Sequence, residues 1–360
     1  MRIDGWRVLI PSALAVVVSL TGCSQKQDAS KEQAAETQNA PAASAPAEKI
    51  GGTLVLYSGR SENLVAPVIA LFEKETGVDV KVKYGNTPEL ALTLREEGTR
   101  GQADVFWAQD AGALGAIAKA GLFVELPAEL VDSIPAAFRH ASGLWIATSG
   151  RARTLAYSTE RVKENTLPKS VFELTEPRFR GKVGWAPPNA SFQAFVTAMR
   201  KTQGEDKAKA WLEAMKANGA RAYANNVAIL QAITRGEIDY GLPNHYYLLN
   251  FKKTEMKFPV AQTFFAPGDP GNLINVAGVG ILATGQNRAA AERFVHFLLS
   301  TTAQQYFASE VSEYPVIDGV ITSTQLVPRE EMLRIAAPVT LDDLDDLDGT
   351  LALLRTVGLL

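Results

Sequence analysis

From Ile50 onward the hydrophobic positions switch period again and again between that of a strand and that of a helix. Residues 53–57 form a short apolar run, and 61–76 then set Leu64, Val68, Leu71 and Phe72 on one helical face before Gly77 stops the helix. Val78, Val80, Val82 and Tyr84 alternate with Asp79, Lys81 and Lys83, the pattern of a half-exposed strand. Residues 88–97 predict a helix ended by Gly98, 103–107 a buried strand, and Asp110 the N-cap of a helix running to Gly121. This βαβαβα order predicts an α/β fold with parallel pairing and right-handed crossovers, in which ligands collect beyond the carboxyl ends of the strands.

A second unit follows residues 144–149. It has a strand near 183–186, helices over 205–218 and 226–235, and a strand around 238–242. Past Pro270 the chain returns with a strand over 276–282 and a helical stretch over 288–309 suited to packing on the first unit. The expected organisation is a first lobe over 50–150 joined by 277–326, and a second lobe over 151–276 with 327–360 as a C-terminal helical segment. Repeated crossings between two lobes imply a hinge and a central cleft.

The N-terminus is patterned differently. Arg2 and Arg7 precede the apolar run 8–20, the layout of a secretory signal and too short to span a bilayer. The run ends in Leu20-Thr21-Gly22-Cys23, which resembles the bacterial lipobox, so residues 1–22 are expected to be removed and Cys23 to be acylated. Cys23 is the only cysteine, so no disulfide can form within the chain. Residues 24–48 are rich in Ala, Gln, Glu, Ser and Pro and lack aromatic and large aliphatic side chains, so they cannot offset the entropy of ordering; 23–49 reads as a tether. The expected location is exported, on a periplasmic or cell-surface face, anchored to a membrane by lipid. The formal net charge of −3 gives no basic footprint for nucleic acid.

Candidate chemistry lies where strands end. The first lobe offers Tyr57-Ser58-Gly59-Arg60, Gln109-Asp110 and Ser149-Gly150-Arg151; the second offers Pro188-Asn189-Ala190-Ser191, Tyr223-Ala224-Asn225-Asn226 and Asn244-His245-Tyr246-Tyr247. Phenol oxygens are hard ligands that a trivalent cation favours as phenolates, so adjacent tyrosines suit Fe(III) better than Zn or Cu(I). Neighbours in a strand point to opposite faces, but at a helix start they can converge, and Asn244 is a suitable N-cap for a helix through Leu248 and Phe251. The alternative is an amphipathic pair with packed rings and wet hydroxyls.

The order of these motifs from about Gly52 to the C-terminus, with Ala103-Asp104-Val105-Phe106 and Gly236-Glu237-Ile238-Asp239 between them, resembles the periplasmic ferric-iron-binding proteins of ABC transporters. The resemblance implies a two-lobed class II periplasmic-binding-protein fold that closes on Fe(III) with a synergistic anion, carbonate or phosphate. It also implies delivery by a monomer to an ABC permease driven by a cytoplasmic ATPase, and no enzymatic activity. The family's paired iron-ligating tyrosines match Tyr246 and Tyr247, and its anion-binding positions match Asn189, Ala190, Ser191, Asn226 and Asn244. The first-lobe histidine and glutamate ligands of one branch are replaced by Ser61 and Gln109, and the third tyrosine of another branch is missing from 189–191. A bidentate carbonate or similar dianion is expected to fill the gap, with Arg60 and Arg151 either clamping it or standing as solvated or inter-lobe salt-bridging arginines. Tyr57 and His245 join Ser61 and Gln109 as expected outer partners of the site.

Other signals carry less. His140 and His296 have no partner at ligand spacing, and in the acidic run 342–348 Leu344 and Leu347 stand where a calcium loop needs oxygen ligands. With Leu341 and Leu351 they predict a packed helical stripe. Gly278-Val279-Gly280 lacks the third glycine of a dinucleotide loop, and no Gly-x-Ser-x-Gly elbow or carboxylate pair marks an enzyme. The main alternative is a binder of an oxyanion, a phosphonate or a polyamine on the same fold.

Overall fold

The computed structural model describes residues 49–360; the signal segment, Cys23 and the tether through residue 48 lie outside the described residues. The strands are β1 (Thr53–Ser58), β2 (Asp79–Tyr84), β3 (Val105–Ala108), β4 (Ile146–Ala152), β5 (Leu155–Ser158), β6 (Val183–Trp185), β7 (Arg221–Ala222), β8 (Tyr240–Gly241), β9 (Val260–Thr263) and β10 (Ile274–Ile281). The helices are α1 (Glu62–Thr76), α2 (Thr87–Glu97), α3 (Ala111–Lys119), α4 (Ala128–Asp132), α5 (Ala190–Gln203), α6 (Glu205–Ala217), α7 (Asn226–Thr234), α8 (His245–Thr254), α9 (Arg288–Leu298), α10 (Thr301–Tyr306), α11 (Arg329–Ile335) and α12 (Leu347–Val357).

The strands form two five-stranded sheets, ordered β2-β1-β3-β10-β4 and β7-β6-β8-β5-β9. Parallel pairing holds where the βαβ pattern predicts it, between β1 and both β2 and β3. The returning strand departs from it: β10 runs antiparallel to β3 and to β4, so the sheet is mixed. A helix-linked series fixes direction only within itself, and a strand arriving from the other sheet enters without that constraint. Chain passes between sheets at 153–154 and again at 264–273, and the strands flanking these passages, β4 and β10, are paired.

The expected helix over 288–309 is broken into α9, α10 and a π-turn at Phe307–Val311. Ser300 restarts the helix by accepting from the Ala303 N–H, and Ser312 ends the π-turn with φ 63°, the one non-glycine among the described residues at positive φ. Against the first sheet Phe72 packs edge-on to Phe294 at 5.0 Å and Trp107 meets both Phe294 and Phe307. Against the second, Trp185, Phe192, Phe195 and Trp211 form a like cluster. No described helix is long and apolar enough to cross a membrane.

The acidic run folds as a short 3-10 turn, Asp342–Leu344, followed by α12, with Leu344 and Leu347 buried. Its charges divide between helices of the two sheets: Asp345 pairs with Lys119 at 2.8 Å and Asp348 with Arg95 at 2.9 Å, while Asp346 pairs with Arg200 at 2.8 Å. The segment reaches α3 because α3 carries glycine there. A Cβ on Gly115 would lie 2.7 Å from that of Asp345, and one on Gly112 2.8 Å from the Leu344 carbonyl oxygen. Gly115→Ala is therefore expected to cost about 1–3 kcal/mol of overpacking, only partly offset by better helix propensity, in urea unfolding.

Candidate functional site

The ends of β1 and β3 and the N-terminal turns of α5, α7 and α8 surround a cavity of about 750 Å³, with Arg60, Gln109, Asn189, Ala190 and Tyr247 on its wall. The residues in these turns stop strands and start helices. Asp110 accepts from the Ala113 N–H, Asn189 from the Ser191 N–H and Asn225 from the Ala228 N–H, which begins α3, α5 and α7. Asn244 occupies the cap position of α8 with extended backbone but makes no cap; its amide donates across the site to Ser191 Oγ at 3.1 Å.

This start to α8 sets Tyr246 and Tyr247 side by side, ring centroids 4.2 Å apart and 31° between planes. Tyr246 is fully buried and Tyr247 is half-buried on the cavity. Gln109 Nε2 donates to Tyr246 Oη at 3.0 Å, while Gln109 Oε1 accepts from Arg60 at 3.1 Å. Burial, then the neighbouring Tyr247 and Glu313, push the Tyr246 phenol well above its ordinary range, against the pull of Arg151 and Arg60. Without a cation alongside, Tyr246 holds its proton.

The two expected arginines part company. Arg60 gives both terminal nitrogens to Glu313, at 2.8 and 2.7 Å, and Ser149 also donates to that carboxylate at 2.6 Å. Of the two roles weighed for it, Arg60 takes the salt bridge, with only Nε left unpartnered. Arg151 is 1% exposed and none of its three guanidinium nitrogens has a partner. Burial lowers its pKa, opposed by Tyr246 and Glu313.

Asn189 and Ala190 lie on the cavity wall, Ser191 and Asn244 are joined as above, and Asn226 is buried with Nδ2 donating to Asn189 at 3.5 Å and Oδ1 free. Ser61 is exposed on the wall. Tyr57 is elsewhere: its hydroxyl donates to Glu97 at 3.0 Å and Lys83 lies 4.4 Å over its ring, so it is not an outer partner of the tyrosine pair. His245 is buried, its Nδ1 accepting from the Ala152 N–H at 3.1 Å and its Nε2 donating to the Ser312 carbonyl at 3.0 Å. Both nitrogens are committed to backbone, so His245 joins α8 to β4 and the π-turn and has no free lone pair for a metal.

Three residues escaped the sequence reading. Glu313 follows a helix irregularity that hydrophobic spacing does not report. Arg153 repeats Arg151 two positions on, a spacing that puts both on one side of extended chain. Its Nη2 donates to the Leu242 carbonyl at 2.6 Å, its guanidinium lies 5.3 and 5.1 Å from the Phe192 and Phe195 rings, and burial, with Arg151 beside it, brings its pKa down to about 9. Asn275 pairs across the sheet with Arg151. Among the described residues no group of three or more His, Cys, Asp or Glu converges as a metal site.

Residues 101–345 match the family described as bacterial extracellular solute-binding protein. The chain is 33% identical over 292 residues to the major ferric iron-binding protein of Neisseria meningitidis, covering 79% of this chain and 86% of that protein. Among solved structures it is similar to iron-bound HitA from Pseudomonas aeruginosa, with TM-score 0.81, 33% identity and coverage of 85% of this chain and 99% of that one. It is also similar to the Trichodesmium protein IdiA (FutA) in complex with iron and citrate ligands, with TM-score 0.71, 26% identity and coverage of 86% and 100%.

Two outcomes follow for the metal-free protein. Glu313→Ala leaves the Arg60 charge buried and unpaired, and urea unfolding should show a loss of about 3–5 kcal/mol. Burial raises Asp110 from 3.8 to about 6, with Arg151 opposing. The folded state thus binds the proton more tightly. Asp110 contributes a stability that is complete below pH 3.8 and lost as pH rises to about 6, amounting to about 3 kcal/mol. The difference between wild type and Asp110→Asn in unfolding measured across this window should show that slope, and a flat difference contradicts it.

Proposed function

The chain belongs to the bacterial extracellular solute-binding proteins and, within them, to the ferric-iron-binding proteins, and on that premise we propose that it captures Fe(III) on the phenol oxygens of Tyr246 and Tyr247. The observation that carries this reading is the tyrosine pair itself, stacked at 4.2 Å at a helix start beside a buried, unpartnered guanidinium. Hard anionic oxygen is the ligand class Fe(III) prefers, and a trivalent charge is strong enough to displace protons that burial otherwise holds.

Two phenolates leave one positive charge on the ion. Arg60 and Glu313 cancel, Arg151 and Arg153 add charge, and Asp110 subtracts from it, so the interior keeps a surplus of about two positive charges. A synergistic anion, of the carbonate or phosphate class, offsets that surplus and supplies oxygen ligands beyond the two phenols. Arg151 is its clamp, and Asn189, Ala190, Ser191, Asn226 and Asn244 contribute helix N-termini and amides, where partial positive charge favours anions.

The two sheets are taken as the cores of two lobes, 50–150 with 277–326 and 151–276 with 327–360, hinged where the chain passes at 153–154 and 264–273. Gln109 from one and Tyr246 from the other meet at 3.0 Å, the kind of contact that closure on the ligand makes. The protein then serves as the solute-binding component of an ABC iron importer. It works outside the cytoplasm as a monomer held to the membrane through Cys23, and hands its cargo to a permease driven by a cytoplasmic ATPase.

A second reading, capture of an oxyanion or a phosphonate, is favoured by the amide-rich cavity wall, whereas a polyamine would meet no carboxylate among the described residues lining it. The two readings separate by colour, because ferric phenolate absorbs visible light. Tyr246→Phe/Tyr247→Phe should abolish the band and weaken ferric binding at least about 100-fold, more than loss of an outer partner costs. Unfolding stability should fall by only about 1 kcal/mol, for the bond lost from Gln109. A colourless wild-type protein on ferric addition, or normal iron affinity in the double variant, defeats the iron reading.

A further inference from the structure

The first turn of α3 gathers buried polar atoms that neither the fold nor the tyrosine pair employs. Asp110 is 2% exposed; its Oδ1 caps the helix through the Ala113 N–H at 3.0 Å, and its Oδ2 has no partner. Asn275 is 3% exposed; its Oδ1 accepts from Ala111 N–H at 3.1 Å and Val276 N–H at 2.8 Å, and its Nδ2 has no partner. Asn275 is also the cross-strand partner of Arg151 between β10 and β4, so the two side chains leave the same face of the sheet as neighbours. Arg151 and Asp110 feel each other's charge, yet make no salt bridge. The other carboxylate that acts on Arg151, Glu313, is already taken by Arg60 and Ser149.

Five unsatisfied atoms thus share one locality: three guanidinium nitrogens, one amide nitrogen and one carboxylate oxygen. Leaving each unpaired in the interior is costly, and one ligand that answers them all has a definite chemistry. It offers at least two acceptor oxygens, to the guanidinium fork and the Asn275 amide, and one O–H, to Asp110. A single water cannot span a bidentate fork and both other groups.

We infer that Arg151, Asn275 and Asp110 form the seat of the anion, and that this seat selects an oxyanion still carrying a proton, hydrogencarbonate or hydrogenphosphate, over a fully deprotonated one such as sulfate. The inference rests on the reading of Arg151 as the anion clamp and adds Asp110 and Asn275 to it. Asp110 acts as the discriminator. At mildly alkaline pH its carboxylate is ionised and can only accept, so it rewards a donor and repels an oxygen without a hydrogen, as sites built around one hydrogen bond reject the analogue that lacks it.

The experiment titrates the metal-free protein calorimetrically with phosphate, hydrogencarbonate and sulfate at mildly alkaline pH, then repeats it with ferric ion present. Wild type should bind phosphate or hydrogencarbonate at least about tenfold more tightly than sulfate, and the stronger of the two identifies the proton-bearing anion. Asp110→Asn keeps a capping oxygen but replaces the orphan acceptor with a donor, so it should bring sulfate level with phosphate or ahead of it. Asn275→Ala should weaken all three anions without reordering them, and serves if the first variant does not fold. Sulfate bound by wild type as tightly as the stronger of phosphate and hydrogencarbonate, or a preference that survives Asp110→Asn, overturns the seat and leaves those atoms to water. The ferric colour of the wild-type protein reports on the tyrosine pair separately. Colour without anion discrimination defeats this inference alone, and discrimination without colour defeats the iron reading alone.

Discussion

Three guanidinium groups meet in the interior, and only Arg60 has a carboxylate within ion-pair distance. An unpaired buried cation is among the most expensive features a fold can carry. A chain under selection for stability alone would replace Arg151 and Arg153 with apolar side chains of similar volume. Their unpartnered nitrogens leave positive charge uncompensated where β4 leaves the first sheet. Arg153 is partly accommodated by the Phe192 and Phe195 rings and the Leu242 carbonyl; Arg151 has no such accommodation.

Around that charge the topology brings helix starts rather than helix middles. α3, α5, α7 and α8 all begin near strand ends, so their free N–H groups and dipoles add positive potential to the same region. Three are capped by their own Asp110, Asn189 or Asn225, whereas Asn244 is diverted to Ser191 and thereby links α8 to α5. Gln109 completes the frame by touching Arg60 and Tyr246 at once, so the ion pair on one sheet and the tyrosines on the other share one hydrogen-bonded path. A neutral amide, donor at one end and acceptor at the other, is what lets Gln109 make this link.

Where the sequence reading succeeded, the signal was local. Period-two and period-3.6 patterns located β1, β2, α1 and α2 to within a residue or so, and Asp110 capped α3 as its type and position predicted. Where it departed, the deciding contact was distant in sequence. Arg60 and Glu313 are far apart along the chain, as are Arg151 and Asn275, and no spacing rule announces either pair. Tyr57 lies near a strand end as a site residue does, but Glu97 and Lys83 claim it; His245 sits at a helix start yet is enclosed by β4 and the π-turn.

The amino-acid sequence alone thus settled which residues could supply hard oxygen ligands and that two of them would start one helix, because a phenol's chemistry and a helix's periodicity are properties of a few consecutive residues. It could not say which guanidinium would be left unpaired. That depended on Glu313 arriving from the far end of the chain to take Arg60 and on β10 placing Asn275 beside Arg151, since charge compensation in a protein interior is settled by what folding brings within a few ångströms.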